Sequence, residues 1–339
     1  MAARVLVVDD SPTMRALLKH ALSAHSDIEV VGEASHTQEA REKIKLFDPD
    51  VVTLDVEMPG MNGLAFLDKI MRLRPTPVIM VSNHTAPGAS ATIEALEIGA
   101  FECIAKPSGV HGNTFEALPE LIREAAASRP QIAASRDASA VMRSAPAATH
   151  DRHANWPDLI GIGSSTGGVE ALISLLADFP ADCPPTLIVQ HLPASFTTSF
   201  AARLDRVCRA HVAEAQHGAA ILPGHVYLAP GGRHLSIKTA GGLRCHLTED
   251  GLVQGHRPSV DVLFSSIAQS FEGQATGIIL TGMGRDGAEG LLQMRKQGAR
   301  TMAQDEATSL VYGMPRVAWE IGAAQVRLPL GKIAKETFA

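Results

Sequence analysis

Short apolar runs alternate with stretches of helical period along most of the chain. Over the first 126 residues the runs are Arg4–Val8, Ile28–Glu33, Val51–Asp55, Pro77–Ser82 and Phe101–Ala105, and the helical stretches fall near 13–24, 37–46, 63–72, 88–98 and 115–126. Runs of this length bounded by turn residues read as buried strands, and strands that alternate with helices imply a parallel sheet covered on both faces. The rhythm stops at Ala125-Ala126-Ala127-Ser128-Arg129-Pro130. From there a stretch rich in Ala, Ser, Arg and His, with no sustained apolar period, runs to Trp156-Pro157; it reads as a linker over 127–157. The rhythm then resumes with strands at Leu159–Gly163, Thr186–Gln190, His211–Glu214, His225–Leu228, Ala275–Leu280 and Arg300–Ala303, and helices near 168–177, 195–206, 260–270 and 287–297. Between them His234–Lys238 and Leu243–Thr248 flank Thr239-Ala240-Gly241-Gly242, which predicts an antiparallel hairpin inserted in an otherwise parallel sheet. The pattern therefore predicts an α/β protein of two doubly wound domains: a (βα)5 unit over 1–126 and a Rossmann-like unit over 158–339.

Composition narrows the class. The chain has 339 residues, 45% hydrophobic and 19% charged, which suits folded domains and not a disordered chain. A net charge of −6 argues against nucleic acid as a partner. Val5-Leu6-Val7-Val8 is cut off at once by Asp9-Asp10, so no secretory signal is expected, and no apolar run is long enough for membrane insertion. Cys103, Cys183, Cys208 and Cys245 are far apart without metal-ligand spacing, and read as reduced packing residues of a cytoplasmic protein.

In the first domain the polar residues stand at the carboxyl ends of strands, where open α/β sheets bind ligands: Asp9 and Asp10, Asp55, Ser82 and Lys106. Three carboxylates meeting at one point repel unless a cation joins them, and oxygen donors of this kind suit Mg²⁺. A lysine and a serine hydroxyl beside them can hold phosphoryl oxygens. Any one of these could be a loop acid or helix cap; together, in this order, they predict an aspartate that accepts a phosphoryl group with Mg²⁺ assistance.

In the second domain three strand ends carry polar residues: Ser164-Ser165-Thr166 within Gly161–Gly168, Gln190-His191-Leu192-Pro193, and Thr281-Gly282-Met283-Gly284-Arg285-Asp286-Gly287. A glycine turn leading into a helix can bind an anion or can hold a nucleophilic serine out of a sheet. Serine, histidine and aspartate at one sheet edge match the roles of nucleophile, base and orienting acid. Gly282, Gly284 and Gly287 also fit a dinucleotide fingerprint with Asp305 at the next strand end, although Asp286 would then face a pyrophosphate. On pattern alone both readings stand.

Val8-Asp9-Asp10-Ser11, Leu54-Asp55-Val56-Glu57-Met58-Pro59-Gly60-Met61-Asn62-Gly63, Met80-Val81-Ser82 and Ala105-Lys106-Pro107 resemble a response-regulator receiver domain throughout the first segment. The resemblance implies Asp55 as phosphoacceptor, Asp9, Asp10 and Asp55 with the Glu57 carbonyl as Mg²⁺ ligands, Lys106 and Ser82 as phosphoryl contacts, and a cis Lys106–Pro107 bond. Receivers commonly carry an aromatic three residues before the lysine; Cys103 stands there, with Phe101 on the same strand, so an aromatic switch is not expected.

Gly163-Ser164-Ser165-Thr166-Gly167-Gly168, Gln190-His191-Leu192-Pro193, His256-Arg257-Pro258-Ser259-Val260-Asp261-Val262-Leu263-Phe264 and Leu280-Thr281-Gly282-Met283-Gly284-Arg285-Asp286-Gly287 are similar to the chemotaxis methylesterase family CheB. This implies Ser165, not Ser164, as nucleophile, His191 as base and Asp286 as orienting acid, with N–H groups around Thr166, Gly167 and Gly284 holding the oxyanion. It implies a phosphorylation-activated enzyme, acting as a monomer, that demethylates receptor glutamates and deamidates receptor glutamines without a cofactor for that step. Methyl-accepting chemoreceptors are then the substrate and the chemotaxis histidine kinase CheA the phosphodonor. Asp261 is read as a first-turn charge of a helix and not as the acid. The competing expectations are a phosphorylation-controlled scaffold with a vestigial triad and a dinucleotide-dependent enzyme.

Overall fold

A computed structural model describes residues 2–58, 62–82, 86–106, 115–139 and 156–339, with backbone alone at 86–90 and 130–139. The chain forms two compact units, residues 1–143 and 144–339.

The first unit runs β1 (Ala3–Val8), α1 (Pro12–Ser23), β2 (Ile28–Ala34), α2 (Thr37–Phe47), β3 (Val51–Asp55), α3 (Gly63–Leu73), β4 (Val78–Ser82), α4 (Ala86–Ile98), β5 (Glu102–Ala105) and α5 (Leu118–Ser139). Its five strands are parallel in the order β2-β1-β3-β4-β5. Every residue of β3 and β4 is buried, as the continuous apolar runs require for strands covered on both faces. The order reverses between β1 and β3, so a ligand crevice opens beyond their carboxyl ends. Ser11 caps α1 by accepting the Met14 N–H at 3.3 Å, and Pro12 begins the helix, so the chain turns sharply after Asp9 and Asp10.

The second unit runs β6 (Leu159–Ser164), α6 (Gly168–Ala177), β7 (Thr186–Gln190), α7 (Ala194–Val207), β8 (His211–Glu214), β9 (His225–Leu228), β10 (His234–Lys238), β11 (Arg244–Thr248), α8 (Val260–Ser270), β12 (Ala275–Ile279), α9 (Ala288–Lys296), β13 (Arg300–Gln304), α10 (Met314–Glu320), β14 (Val326–Leu328) and α11 (Leu330–Thr337). Seven parallel strands lie in the order β14-β13-β12-β6-β7-β9-β8. The central strand β6 stands between β12 and β7, so the loops after β6, β7 and β12 meet at one edge. Helix α8 lies close over β6: a Cβ at Gly163 would sit 2.2 Å from Val260 Cγ1. The glycines before the serine turn thus serve helix-to-sheet approach.

Several expectations change. The hairpin β10–β11 pairs antiparallel from His234↔Thr248 to Lys238↔Arg244 as a separate two-stranded sheet, not within the parallel one. It packs on α8, where the Ser266 hydroxyl accepts the Ile237 N–H at 3.1 Å. Helix α5 continues to Ser139, through the first part of the stretch read as linker. Strand β14 and helices α10 and α11 were not foreseen; β14 has only three residues and no alternating pattern. Phe101 is fully buried just before β5 instead of inside it. The Lys106–Pro107 bond lies outside the described residues. All four cysteines are buried and free, and no described helix is long and apolar enough to cross a membrane.

Candidate functional site: an acidic pocket and a polar sheet edge

In the first unit the carboxylates of Asp9, Asp10 and Asp55 each bring an oxygen within 4.8 Å of the others. Asp9 and Asp55 are buried and Asp10 is exposed. The turn after each strand aims backbone donors at the acids: Ser11 N–H on Asp9 Oδ1 at 2.9 Å, and Glu57 N–H on Asp55 Oδ1 at 3.1 Å. Lys106 Nζ stands 3.1 Å from Asp9 Oδ2 and 2.8 Å from Asp55 Oδ2. Burial pushes Asp55 up to about 6 against the pull of Lys106, and the Asp9 charge adds to the rise. Lys106 rises above its ordinary value because its two carboxylates outweigh the cost of burying it. Three carboxylates whose oxygens gather within 4.8 Å, countered by the one ammonium of Lys106, leave excess negative charge on hard oxygen donors, and that donor set fits Mg²⁺. Ser82 is buried at the end of β4, and its carbonyl accepts the Lys106 N–H at 2.7 Å. Cys103 is buried too, its Sγ 3.8 Å from the Thr92 carbonyl.

In the second unit Ser164, Ser165 and Thr166 leave the end of β6. The two serines are held in different ways. Ser164 is fully buried, and its hydroxyl donates to Gln190 Oε1 at 2.6 Å. The amide of Gln190 donates to the Ser165 carbonyl at 2.9 Å, and the Ser165 N–H donates to the Thr281 carbonyl at 3.0 Å. The backbone of Ser165 is therefore fixed, while its hydroxyl makes no hydrogen bond among the described residues. Thr281 completes the clamp: its hydroxyl donates to the Thr166 carbonyl at 3.0 Å and accepts the Val311 N–H at 3.0 Å. Gly167 has a φ of 77° and opens α6, and Gly284 has a φ of 80° in the third loop. Neither glycine N–H donates to a partner among the described residues.

His191 follows β7, and its N–H donates to the Ser164 carbonyl at 3.2 Å, which ties the histidine loop to the serine loop. Its Nε2 lies 2.8 Å from Asp286 Oδ2, and its buried Nδ1 has no hydrogen-bond partner among the described residues. Asp286 is almost fully buried at the N-terminus of α8. It accepts the Ser259 hydroxyl at 2.8 Å, the Val260 N–H at 2.7 Å and the Asp261 N–H at 3.0 Å. Burial alone would raise its pKa; the His191 partner and these donors outweigh it, and the carboxyl titrates below its usual value.

Asp261 stands in the first turn of α8, as expected, but as a buried carboxyl. Its Oδ1 accepts the Gly290 N–H of α9 at 2.7 Å. Helices α8 and α9 thus cap each other, with Asp286 before α9 serving α8 and Asp261 in α8 serving α9. Burial raises Asp261 to about 6, opposed by its backbone donors and assisted by Asp286. Asp305, the acid a dinucleotide fingerprint would need, accepts the Thr308 N–H at 3.0 Å and the Thr308 hydroxyl at 2.7 Å. Sequence reasoning gave no role to Gln190 or Thr281; it read Pro258-Ser259 as an N-cap-like start of a helix, and Ser259 is the cap of α8, but its hold on Asp286 went unseen. The available signal was a polar residue at the end of a buried strand, or a helix cap, with no partner in its own element.

A receiver-like acidic pocket in one unit, and a serine, histidine and aspartate at the switch point of a parallel sheet in the other, define a phosphoacceptor protein with a hydrolase-type edge. Comparison with known proteins gives the family. The profile of the response regulator receiver domain matches residues 5–112, and that of the CheB methylesterase matches residues 160–337. A protein-glutamate methylesterase/protein-glutamine glutaminase of Agrobacterium fabrum (strain C58 / ATCC 33970) is 55% identical over 336 residues, covering 98% of this chain and 95% of its own. One from Caulobacter vibrioides is 55% identical over 336 residues, covering 98% and 96%. The crystal structure of the CheB methylesterase catalytic domain of Thermotoga maritima is similar at 36% identity with a TM-score of 0.52, over 54% of this chain and 97% of that one. The chain belongs to the CheB family of methylesterases that carry a receiver domain.

Proposed function

We propose that this protein hydrolyses the γ-methyl ester of chemoreceptor glutamates, and the side-chain amide of specific receptor glutamines, through Ser165, His191 and Asp286. Family membership makes it a protein-glutamate methylesterase and protein-glutamine glutaminase of chemotactic adaptation. The observation that carries the assignment is the unequal pair of serines: the Ser164 hydroxyl is consumed by Gln190, while among the described residues the Ser165 hydroxyl and the buried Nδ1 of His191 have no hydrogen-bond partner.

The Ser165 oxygen attacks the carbonyl carbon, His191 Nδ1 takes its proton, and the proton passes to departing methanol or ammonia. Water then adds to the acyl-enzyme, again losing its proton to His191, and releases glutamate and free Ser165. Asp286 holds Nε2 protonated, so that Nδ1 is the free base, and stabilises the imidazolium. The unpaired N–H groups of Gly167 and Gly284, with the Thr166 N–H in the same turn, are the proposed oxyanion donors, assisted by the α6 dipole.

The receiver over 1–126 controls the esterase domain over 158–339 across the joining segment 127–157. Asp55 accepts the phosphoryl group from the kinase CheA. Asp9, Asp10 and Asp55, with the Glu57 carbonyl, would hold Mg²⁺, which supplies neutralisation of phosphoryl charge when bound. Lys106 and Ser82 contact the phosphoryl oxygens. The protein works as a monomer in the cytoplasm. The test is methanol release from methylated receptor: Ser165→Ala should abolish it and Ser164→Ala should leave a measurable rate, whereas normal release by Ser165→Ala overturns the assignment.

A further inference from the structure

The segment from His256 to Asp261 does more than hold the acid. The His256 imidazole lies face to face on that of His191, with ring centroids 3.8 Å apart and planes within 10°. No hydrogen bond to its own ring nitrogens is present among the described residues, so the stack is its principal contact with the edge. Its backbone is firmly held. His256 exchanges both hydrogen bonds with Val253, at 2.9 and 3.1 Å. The next residue, Arg257, donates to the carbonyls of Glu249 and Asp250 at 2.8 and 2.9 Å and accepts the Gly232 N–H at 3.0 Å. Two residues further, the Ser259 N–H donates to Nδ1 of the buried His234, whose Nε2 donates to the Gly251 carbonyl. A half-buried ring on so rigid a segment is a fixed wall and not a loose filler.

His191 needs such a wall. Asp286 grips one ring atom, Nε2, which leaves the imidazole free to swing about that bond and carry Nδ1 away from Ser165. A parallel ring at van der Waals distance removes that freedom, and offset stacking of planar groups is favourable in itself. The stack also restrains the imidazolium that forms during attack. Burial and the neighbouring His191 press His256 down to about 4, so it stays neutral and puts no like charge against that imidazolium.

We propose that His256 is a positioning residue for the esterase reaction, its ring fixing the plane in which His191 offers Nδ1 to Ser165 while Nε2 rests on Asp286. The proposal rests on the assignment of Ser165 and His191 above. A misplacement of about 1 Å at a reacting group can cost on the order of 100-fold in rate. The test uses the full-length phosphorylated protein and methylated receptor, with kcat and KM measured for His256→Ala, His256→Gln and His256→Phe. Tryptophan-fluorescence melting confirms that each variant folds. Loss of the ring, in Ala or Gln, should lower kcat at least about tenfold with KM within about twofold. Phenylalanine, which keeps a flat ring without nitrogens, should hold kcat within about threefold. Gln serves where Ala does not fold. The proposal is overturned if whichever ringless variant folds keeps kcat within about threefold, or if Phe is as impaired as the ringless variants. Ser165→Ala in the same series separates the two ideas: residual activity there sinks the nucleophile assignment, whereas a dead Ser165→Ala beside an unimpaired His256→Ala sinks only the role of His256.

Discussion

Ser259→Ala removes one oxygen from a fully buried site that joins two functions. The hydroxyl donates to Asp286 Oδ1 at 2.8 Å and accepts the Val262 N–H at 3.4 Å as the cap of α8. The cap bond is long, so its loss belongs at the low end of the usual range, about 0.5–1 kcal/mol. A hydrogen bond to a buried carboxylate contributes more, about 1.5–3 kcal/mol. The expected destabilisation is therefore about 2–4 kcal/mol. Activity should suffer less, by no more than about tenfold, because the Val260 and Asp261 N–H groups and His191 still hold the acid. The chain offers a clean assay. Its two tryptophans, Trp156 and Trp319, both lie in the second unit. Trp156 packs against Phe338 with ring centroids 5.0 Å apart. Fluorescence in a urea titration thus follows that unit alone, and Ser259→Thr provides the control that keeps the hydroxyl. The same change in an Asp286→Asn background completes a double-mutant cycle. A loss below about 0.5 kcal/mol, or no coupling between positions 259 and 286, would refute the reasoning.

Asp261 titrates at about 6 in the folded protein, above its unfolded value, so the stability it contributes is full below about pH 4 and is lost as pH rises through 6. Asp261→Asn should therefore gain on the wild type by up to about 3 kcal/mol between pH 4 and 7, and a pH-independent difference in urea melts would contradict this. Gly163→Ala would drive a methyl to 2.2 Å from Val260 Cγ1 and push α8 from the sheet; it should cost about 1–3 kcal/mol and lower kcat more than it changes KM. Deleting residues 1–140 should raise methanol release above that of the unphosphorylated whole protein; equal rates would exclude simple restraint by the receiver.

What the sequence made legible follows the range of the interactions involved. Buried strands are written locally, as runs such as Val51–Asp55 and Val78–Ser82, and the polar residue at the end of each run marks a ligand edge. That is why Asp9, Asp55, Lys106, the Ser164-Ser165 pair and His191 could be named as candidates before the fold was seen. The hairpin was legible as a hairpin, but not as a sheet apart, because pairing partners beyond the turn are not encoded near it. Strand β14 escaped because three residues carry no period. The choice between Ser164 and Ser165 needed family resemblance at the sequence level. In the fold it has a physical reason, since Gln190, twenty-six residues on from Ser164, takes up one hydroxyl and leaves the other. The glycine turn looked equally suited to a phosphate because Gly161 and Gly163 serve α8, a helix about a hundred residues later in the chain.

The two aspartates at the α8–α9 junction show how the fold decides which carboxylate carries charge at the edge. They are neighbours, both buried, and each serves the other's helix. Two ionised carboxylates so close would repel, so the donors are shared unequally. Asp286 receives one hydroxyl, two backbone N–H groups and the imidazole of His191, and is held below its usual pKa. Asp261 has the Gly290 and Gly287 N–H groups as its donors among the described residues, and burial raises it. The charge is thereby drawn to the acid that touches His191, while the proton is retained more readily by the one that touches only backbone. Sequence reasoning set Asp261 aside as a first-turn charge; the structure sets it aside because its donors are too few and it does not contact the imidazole. The same pattern assigns the orienting role. Asp286 can polarise His191 only while it stays ionised, and against the cost of burial it is held so first by His191 itself and then by the N–H groups of the first two residues of α8.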